Sequence, residues 1–225
     1  MARFPERRAV PEFTTFASLL RMTAKYGFSN VRETLIEDIK GAYPAKWEDF
    51  QAANILGEDI FGSPKPHPNA VLNLFLEQNI RFALPFAAYR TCLGGFSALV
   101  SDKPGTVLPR LTLASVIHGR GEMNRTTVLN AYGVLCLADP GVCTDGSCVL
   151  HAPVNPAEGR KDAINKIFDA ILRGSEVDML SPLSLGTLVC KNCAKWLEST
   201  HVDCRKEFIW AGLPSLLGWE SWEGV

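Results

Sequence analysis

The chain has 225 residues, 47% hydrophobic and 21% charged, which is enough apolar material for one large core or two small ones and excludes an intrinsically disordered chain. Its 23 basic and 24 acidic side chains leave a net charge of −1, so no broad positive field steers it to phosphate backbones and nucleic acid is not an expected partner. Arg7, Arg8 and Glu12 stand where the apolar run of a secretory signal would lie, and Val71 to Val100 is broken by Glu77, Arg81, Pro85 and Arg90, so neither a signal peptide nor a membrane span is expected.

In chain order, Phe13 to Tyr26 carries Phe16, Leu19, Leu20 and Met22 as an apolar helical face, with Gly27 as the stop. Asn30 then stands as an N-cap with Glu33 at the capping-box position, and Val31, Leu35, Ile36 and Ile39 mark a second helix ending near Gly41. Two short helices joined by Gly27-Phe28-Ser29 form an αα-hairpin. Such a hairpin cannot bury its face alone; it must pack on the rest of the chain or leave an apolar surface that favours self-association.

The run Gly62 to Pro68 holds three prolines and reads as a loop, with Pro68 opening a buried helix to about Asn79. Arg81 to Leu93 contains Pro85 and is either one kinked helix or two short segments. Another apolar stretch covers Val107 to His118. Asn155, Pro156 and Glu158 open the clearest amphipathic helix, which Gly174 ends. Gly186 to Val189 is the best short strand. A last helix runs from just after Cys190 to about Trp210, with Cys193, Leu197, Cys204 and Phe208 near one face and Leu213-Pro214 as the stop. The expected class is mainly α, with residues 1–12 as a flexible tail, 13–45 as the hairpin and 46–225 as an irregular helical domain.

Seven cysteines without an export signal point to reduced thiols or metal ligands inside the cell, cytoplasm and nucleus not being distinguished. Cys143-x4-Cys148 and Cys190-x2-Cys193 are two closely spaced pairs of the kind that complete a tetrahedral zinc site. The four-residue spacer and the long interval between the pairs fit compact zinc sites less well, so a structural zinc on Cys143, Cys148, Cys190 and Cys193 and ordinary reduced cysteines both stay open. A third reading makes Cys190 the attacking thiolate and Cys193 the resolving thiol of a thiol-disulfide oxidoreductase, although the helices around them are not the βαβ surroundings of a thioredoxin. His151 and the His201/Cys204 pair read as non-ligands, and Cys92 and Cys136 as buried and inert. No Gly-x-Ser-x-Gly turn or Ser/His/Asp set is present, and Gly119-Arg120-Gly121 is too short for a phosphate loop. The expected function is therefore a non-enzymatic protein-protein interaction module rather than an enzyme. Trp210, Trp219 and Trp222 close the chain as rings that fold onto their own core or dock on a partner.

Leu19-x2-Met22-x3-Tyr26-Gly27-Phe28, then Val31-Arg32-x6-Ile39, and the ending Cys190-x2-Cys193 with Ile209-Trp210-x2-Leu213-Pro214-x3-Leu217-Gly218, resemble BTB/POZ domain-containing proteins of mushroom-forming fungi. The resemblance implies that the hairpin is the closing piece of a BTB domain and that a helical extension follows. Only about twelve residues precede Phe13 here, so the BTB core is expected to be missing. The homodimerisation and ubiquitin-ligase adaptor work that the family implies therefore attach to no residue of this sequence.

Overall fold

Gly27 sets the geometry of the first hairpin. Its φ of 71° is the left-handed conformation that ends a helix, and its N–H and that of Phe28 both donate to the Thr23 carbonyl. Helix α1 occupies Phe13–Tyr26 and α2 occupies Ser29–Ala42. The second helix does not start from Asn30 as expected: Ser29 is already helical and the preceding Phe28 makes no side-chain cap. One non-helical residue, Phe28, separates Gly27 from α2, and Asn30 already lies inside the helix, so it cannot act as the cap of a capping box.

The computed structural model describes residues 11–52, 60–94, 96–136, 190–219 and 221–222. Its class is mainly α, and no strand occurs among the described residues. The expected helix from Asn155 and the strand Gly186 to Val189 lie outside them. No described helix is long and apolar enough to cross a membrane. The chain divides into two compact units, one from Met1–Thr91, Phe96–Thr112 and Trp219–Val225, the other from Cys92–Gly95 and Leu113–Gly218.

In the first unit the hairpin buries Phe16, Leu20, Leu35 and Ile39. Phe61 closes this face, its ring standing edge-on to Phe13 at 5.2 Å and to Phe16 at 5.3 Å. A short helix that the periodicity did not announce, α3 (Trp47–Ala52), sets the Phe50 ring at a tilt to Trp47 at 5.3 Å and edge-on to Phe86 at 5.8 Å. The proline-rich run stays irregular, and α4 (Pro68–Glu77) opens with Pro68 at its first turn. His67 is its N-cap: the imidazole Nδ1 accepts the Asn69 N–H at 3.2 Å.

Arg81–Ala83 is a 3₁₀ turn running directly into α5 (Leu84–Leu93), so the two-segment reading holds. Pro85 sits in the first turn of α5, where its missing N–H costs nothing. After α6 (Phe96–Leu99) the segment leading to Val107 is fastened to α4 by two asparagines one turn apart. The Asn69 carboxamide, 1% exposed, donates to the carbonyls of Ala98, Leu99 and Thr106 at 3.1, 3.2 and 3.0 Å. Asn73 donates to Gly105 and Val107 at 3.1 and 2.9 Å.

Helix α7 (Arg110–Cys136) is longer than its apolar pattern suggests. In the second unit it buries Val116 and Met123. Gly119 is required there, because a Cβ would stand 2.6 Å from Leu217 Cδ2 and 2.9 Å from the Leu216 carbonyl. Cys92 is buried as expected, donating from Sγ to the Val116 carbonyl at 3.4 Å. Burial pushes its thiol up to about 12, against the opposing influence of Arg120.

Helix α8 (Lys191–Cys204) passes into a π turn over Arg205–Trp210, marked by the Ala211 N–H donating to the Lys206 carbonyl. A further short helix, α9 (Leu213–Leu216), follows. The run starts after Cys190 and ends at Trp210 as expected, and past the turn at Ala211-Gly212 Leu213-Pro214 opens the separate α9, with the proline in its first turn. One expectation changes here. Phe208 is not core; it is 53% exposed, while Arg205, Ile209 and Trp210 are buried. The wider π turn advances the chain by one extra residue and rotates Phe208 out of the stripe that regular spacing assigns it. Trp219 and Trp222 are half-buried.

Candidate functional site

The cysteines singled out by spacing are met in part. Cys190 immediately precedes α8 and Cys193 lies in its first turn, so the two thiols fall one turn apart at the end of a helix where backbone N–H groups favour thiolates. Cys193 is buried and Cys190 half-buried. Cys143, Cys148 and His151 lie outside the described residues, as do the side chains of Cys136 and His201. Among the described residues no three His, Cys, Asp or Glu side chains gather as metal ligands. Cys204 is half-buried, and burial, then Asp203 and Glu207, hold its thiol above the usual range. That electrostatic setting disfavours a thiolate.

The surface that sequence reasoning did not isolate is on the hairpin. Phe16, Leu19, Leu20 and Met22 read as one apolar face, but the structure splits them. Phe16 and Leu20 are buried, whereas Leu19 is 39% and Met22 49% exposed. Leu19, Met22 and Tyr26 follow the i, i+3, i+7 spacing of a second stripe on α1. It continues through Phe28, whose ring lies 6.2 Å from that of Tyr26, to Val31 on α2. Tyr26 and Phe28 are 58% and 55% exposed. The signal for this stripe was in the sequence: α1 has more apolar positions than one face of a helix can bury.

The underside of the hairpin is anchored. Arg21 donates from Nε and Nη2 to the Glu77 carboxylate, at 2.8 and 2.7 Å for the two shortest contacts, tying α1 to the last residue of α4. These hydrogen bonds hold the Glu77 carboxyl below the usual carboxylate range and the Arg21 guanidinium above its own. Both side chains are about half exposed, so the pair orients more than it stabilises. Arg32 Nη2 donates to the Gln78 carbonyl at 3.2 Å and fixes α2 to the same place. The outer edge is charged: the Lys25 ammonium lies 5.3 Å from the Tyr26 ring centroid, and Asp38 is exposed on α2 two turns beyond Val31.

Protein-family models, curated proteins and solved structures yield no match to this chain. The stripe, its anchored base and its charged edges are therefore read from their chemistry. An exposed apolar stripe of this kind is suited to covering by another apolar surface.

Proposed function

We propose that this chain is a non-enzymatic protein-protein interaction module inside the cell, and that the outer face of the α1/α2 hairpin is its contact surface. The observation that supports this is the continuous exposure of Leu19, Met22, Tyr26, Phe28 and Val31 on a base held by Arg21 and Arg32. Five side chains exposed to this extent present roughly 400–500 Å², the size of the largest, often functional, apolar patch on a monomer. The partner the physics favours is a second copy. An isologous pair brings the same stripe to both sides, sets Lys25 of one protomer toward the acidic α2 edge of the other, and buries roughly 1,000 Å² in total, the lower bound of a specific and reversible interface.

One structural zinc belongs to this reading, with Cys143, Cys148, Cys190 and Cys193 as ligands. Its support is the pairing of Cys190 and Cys193 one turn apart at the start of α8. The motif likeness to the BTB/POZ proteins of mushroom-forming fungi points equally to interaction work.

The deciding measurement is the solution mass by light scattering, from low micromolar to hundreds of micromolar, for wild type and a Tyr26→Lys, Phe28→Lys double variant. Both side chains are exposed, so the variant keeps its helical circular dichroism. Wild type is expected to approach twice the monomer mass with rising concentration while the variant stays monomeric. Equal masses throughout would remove the hairpin face as the contact surface.

A further inference from the structure

Helix α8 carries a pair of cysteines at its start and a single one at its end, and the two ends treat their thiols differently. Cys190 is the residue before Lys191, the N-cap position, and Cys193 is the third residue of the helix; both are thiols. In a reciprocal cap these are the two positions whose side chains turn toward each other, the N-cap group reaching the third N–H and the third side chain reaching back. Helical residues three apart have Cβ atoms about 5–6 Å apart, and a disulfide needs about 3.5–4.5 Å. The N-cap residue lies outside the regular helix, so its backbone can supply the difference without unwinding α8. Among the described cysteines this pair alone shares a helical turn.

The electrostatics of the two ends differ in the same sense. The first turn of α8 has no acidic residue, contains the exposed Lys191 and presents the positive end of the peptide dipoles. Each of these favours the thiolate, which is the nucleophile of disulfide exchange. Cys204 stands at the opposite end, beside Asp203 and Glu207. Cys92 is buried and donates to the Val116 carbonyl. Exposure sets the order within the pair, since Cys190 is half-buried and Cys193 buried.

We propose that Cys190 and Cys193 are a reversible oxidation site that takes a low-molecular-weight disulfide as its oxidant, Cys190 reacting first and Cys193 closing the bond. With oxidised glutathione, the Cys190 thiolate attacks one sulfur, the glutathione S–S bond breaks and one glutathione thiolate leaves. Cys193 then loses its proton to solvent and attacks the Cys190 sulfur of the mixed disulfide, displacing the second glutathione thiolate. Two protein thiols lose two electrons, one glutathione disulfide gains them, and the two protons given up by the protein end on two glutathione thiols. The reaction asks that the two sulfurs be neighbours, whatever hydrogen bonds they make in the reduced chain. It also stands without the zinc proposed for the same residues.

The test equilibrates the full chain in EDTA with mixtures of reduced and oxidised glutathione, quenches in acid, and maps thiols and disulfides by alkylation and peptide mass spectrometry. Zinc content is measured on a separate sample without chelator, so loss of the zinc reading and loss of this one are distinct results. The expected product is lighter by two hydrogens, links Cys190 to Cys193 and reverts in dithiothreitol. Alkylation of the reduced, folded chain should be at least about tenfold faster at Cys190 than at Cys92 or Cys204. Cys193→Ser should instead retain one glutathione on Cys190. A folded chain whose Cys190 and Cys193 stay reduced in oxidised glutathione, a bond from either to any other cysteine, or labelling of Cys204 as fast as Cys190 would each overturn the assignment. Should Cys193→Ser, at a buried position, fail to fold, the wild-type disulfide map and labelling rates decide the matter.

Discussion

Replacing Asn69 tests whether the segment from Ala98 to Thr106 is held by side-chain amides rather than by its own packing. The carboxamide has two hydrogens and three carbonyl acceptors, so one hydrogen is shared. Asn69→Ala removes both donors at a site that water does not reach. Two to three hydrogen bonds at about 0.5–1.5 kcal/mol net, plus the desolvation left on carbonyls that find no new donor, amount to roughly 2–4 kcal/mol. Asn69→Asp keeps the shape and should be worse. It sets a carboxylate against three carbonyl oxygens, and an uncompensated buried charge costs about 3–5 kcal/mol. Asn73 makes similar bonds but is partly exposed, so water replaces its amide and Asn73→Ala should cost about 0.5–1 kcal/mol. Urea unfolding followed by tryptophan fluorescence and circular dichroism gives the three values, and hydrogen exchange over 98–107 locates the loss. An Asn69→Ala protein within about 0.5 kcal/mol of wild type, or an alanine variant less stable than the aspartate one, would refute this account.

The His67 cap and the glycines of α7 give further tests. His67 accepts a backbone N–H through Nδ1, which requires the neutral ring, and burial with the nearby Lys103 charge lowers its pKa below the usual 6.5. The unfolded chain therefore binds the proton more readily. The stabilising contribution of His67 is whole above pH 6.5 and is lost as pH falls through the lower folded-state value. His67→Asn, a good N-cap that cannot protonate, should flatten the acid limb of the stability-pH curve, and an unchanged limb would remove His67 as its cause. Gly119→Ala should destabilise by about 1–3 kcal/mol, because the new methyl meets both the Leu217 side chain and the Leu216 backbone oxygen. Gly121→Ala, two residues on and with open space around it, should be neutral or mildly stabilising in the same thermal melt.

Local chemistry was legible where one residue decides the backbone. Gly27 ends α1 where its left-handed φ is needed, and Pro68 opens α4 at its first turn. Legibility failed where two devices compete for the same job. Asn30 and Glu33 form a plausible capping box, but the Gly27 turn starts α2 before the box can act. Histidine seldom serves as an N-cap, so nothing in the sequence announces His67 in that role, although Nδ1 is geometrically competent. Gly119 and Gly121 disguise α7 as broken, since glycine weakens a helix unless a neighbour needs the room, and Leu217 lies far away in sequence. The same limit applied to the candidate contact face. Apolar spacing on α1 showed that a face exists but not that Phe61 would cover only half of it.

The π turn carries a meaning beyond its effect on Phe208. From Cys193 to Ile209 a regular α-helix would swing the second side chain roughly 160° away from the first, and the extra residue in the wide turn takes back about 100° of that. Both residues are buried in the second unit. The turn thus works as a phase adjuster between the cysteine-bearing start of the rod and the tryptophan-bearing end. Deleting one residue between Arg205 and Trp210 would barely shorten the chain, yet it would turn one end a quarter-revolution or more against the other. This segment has a low tolerance for changes of length and a higher one for changes of side chain.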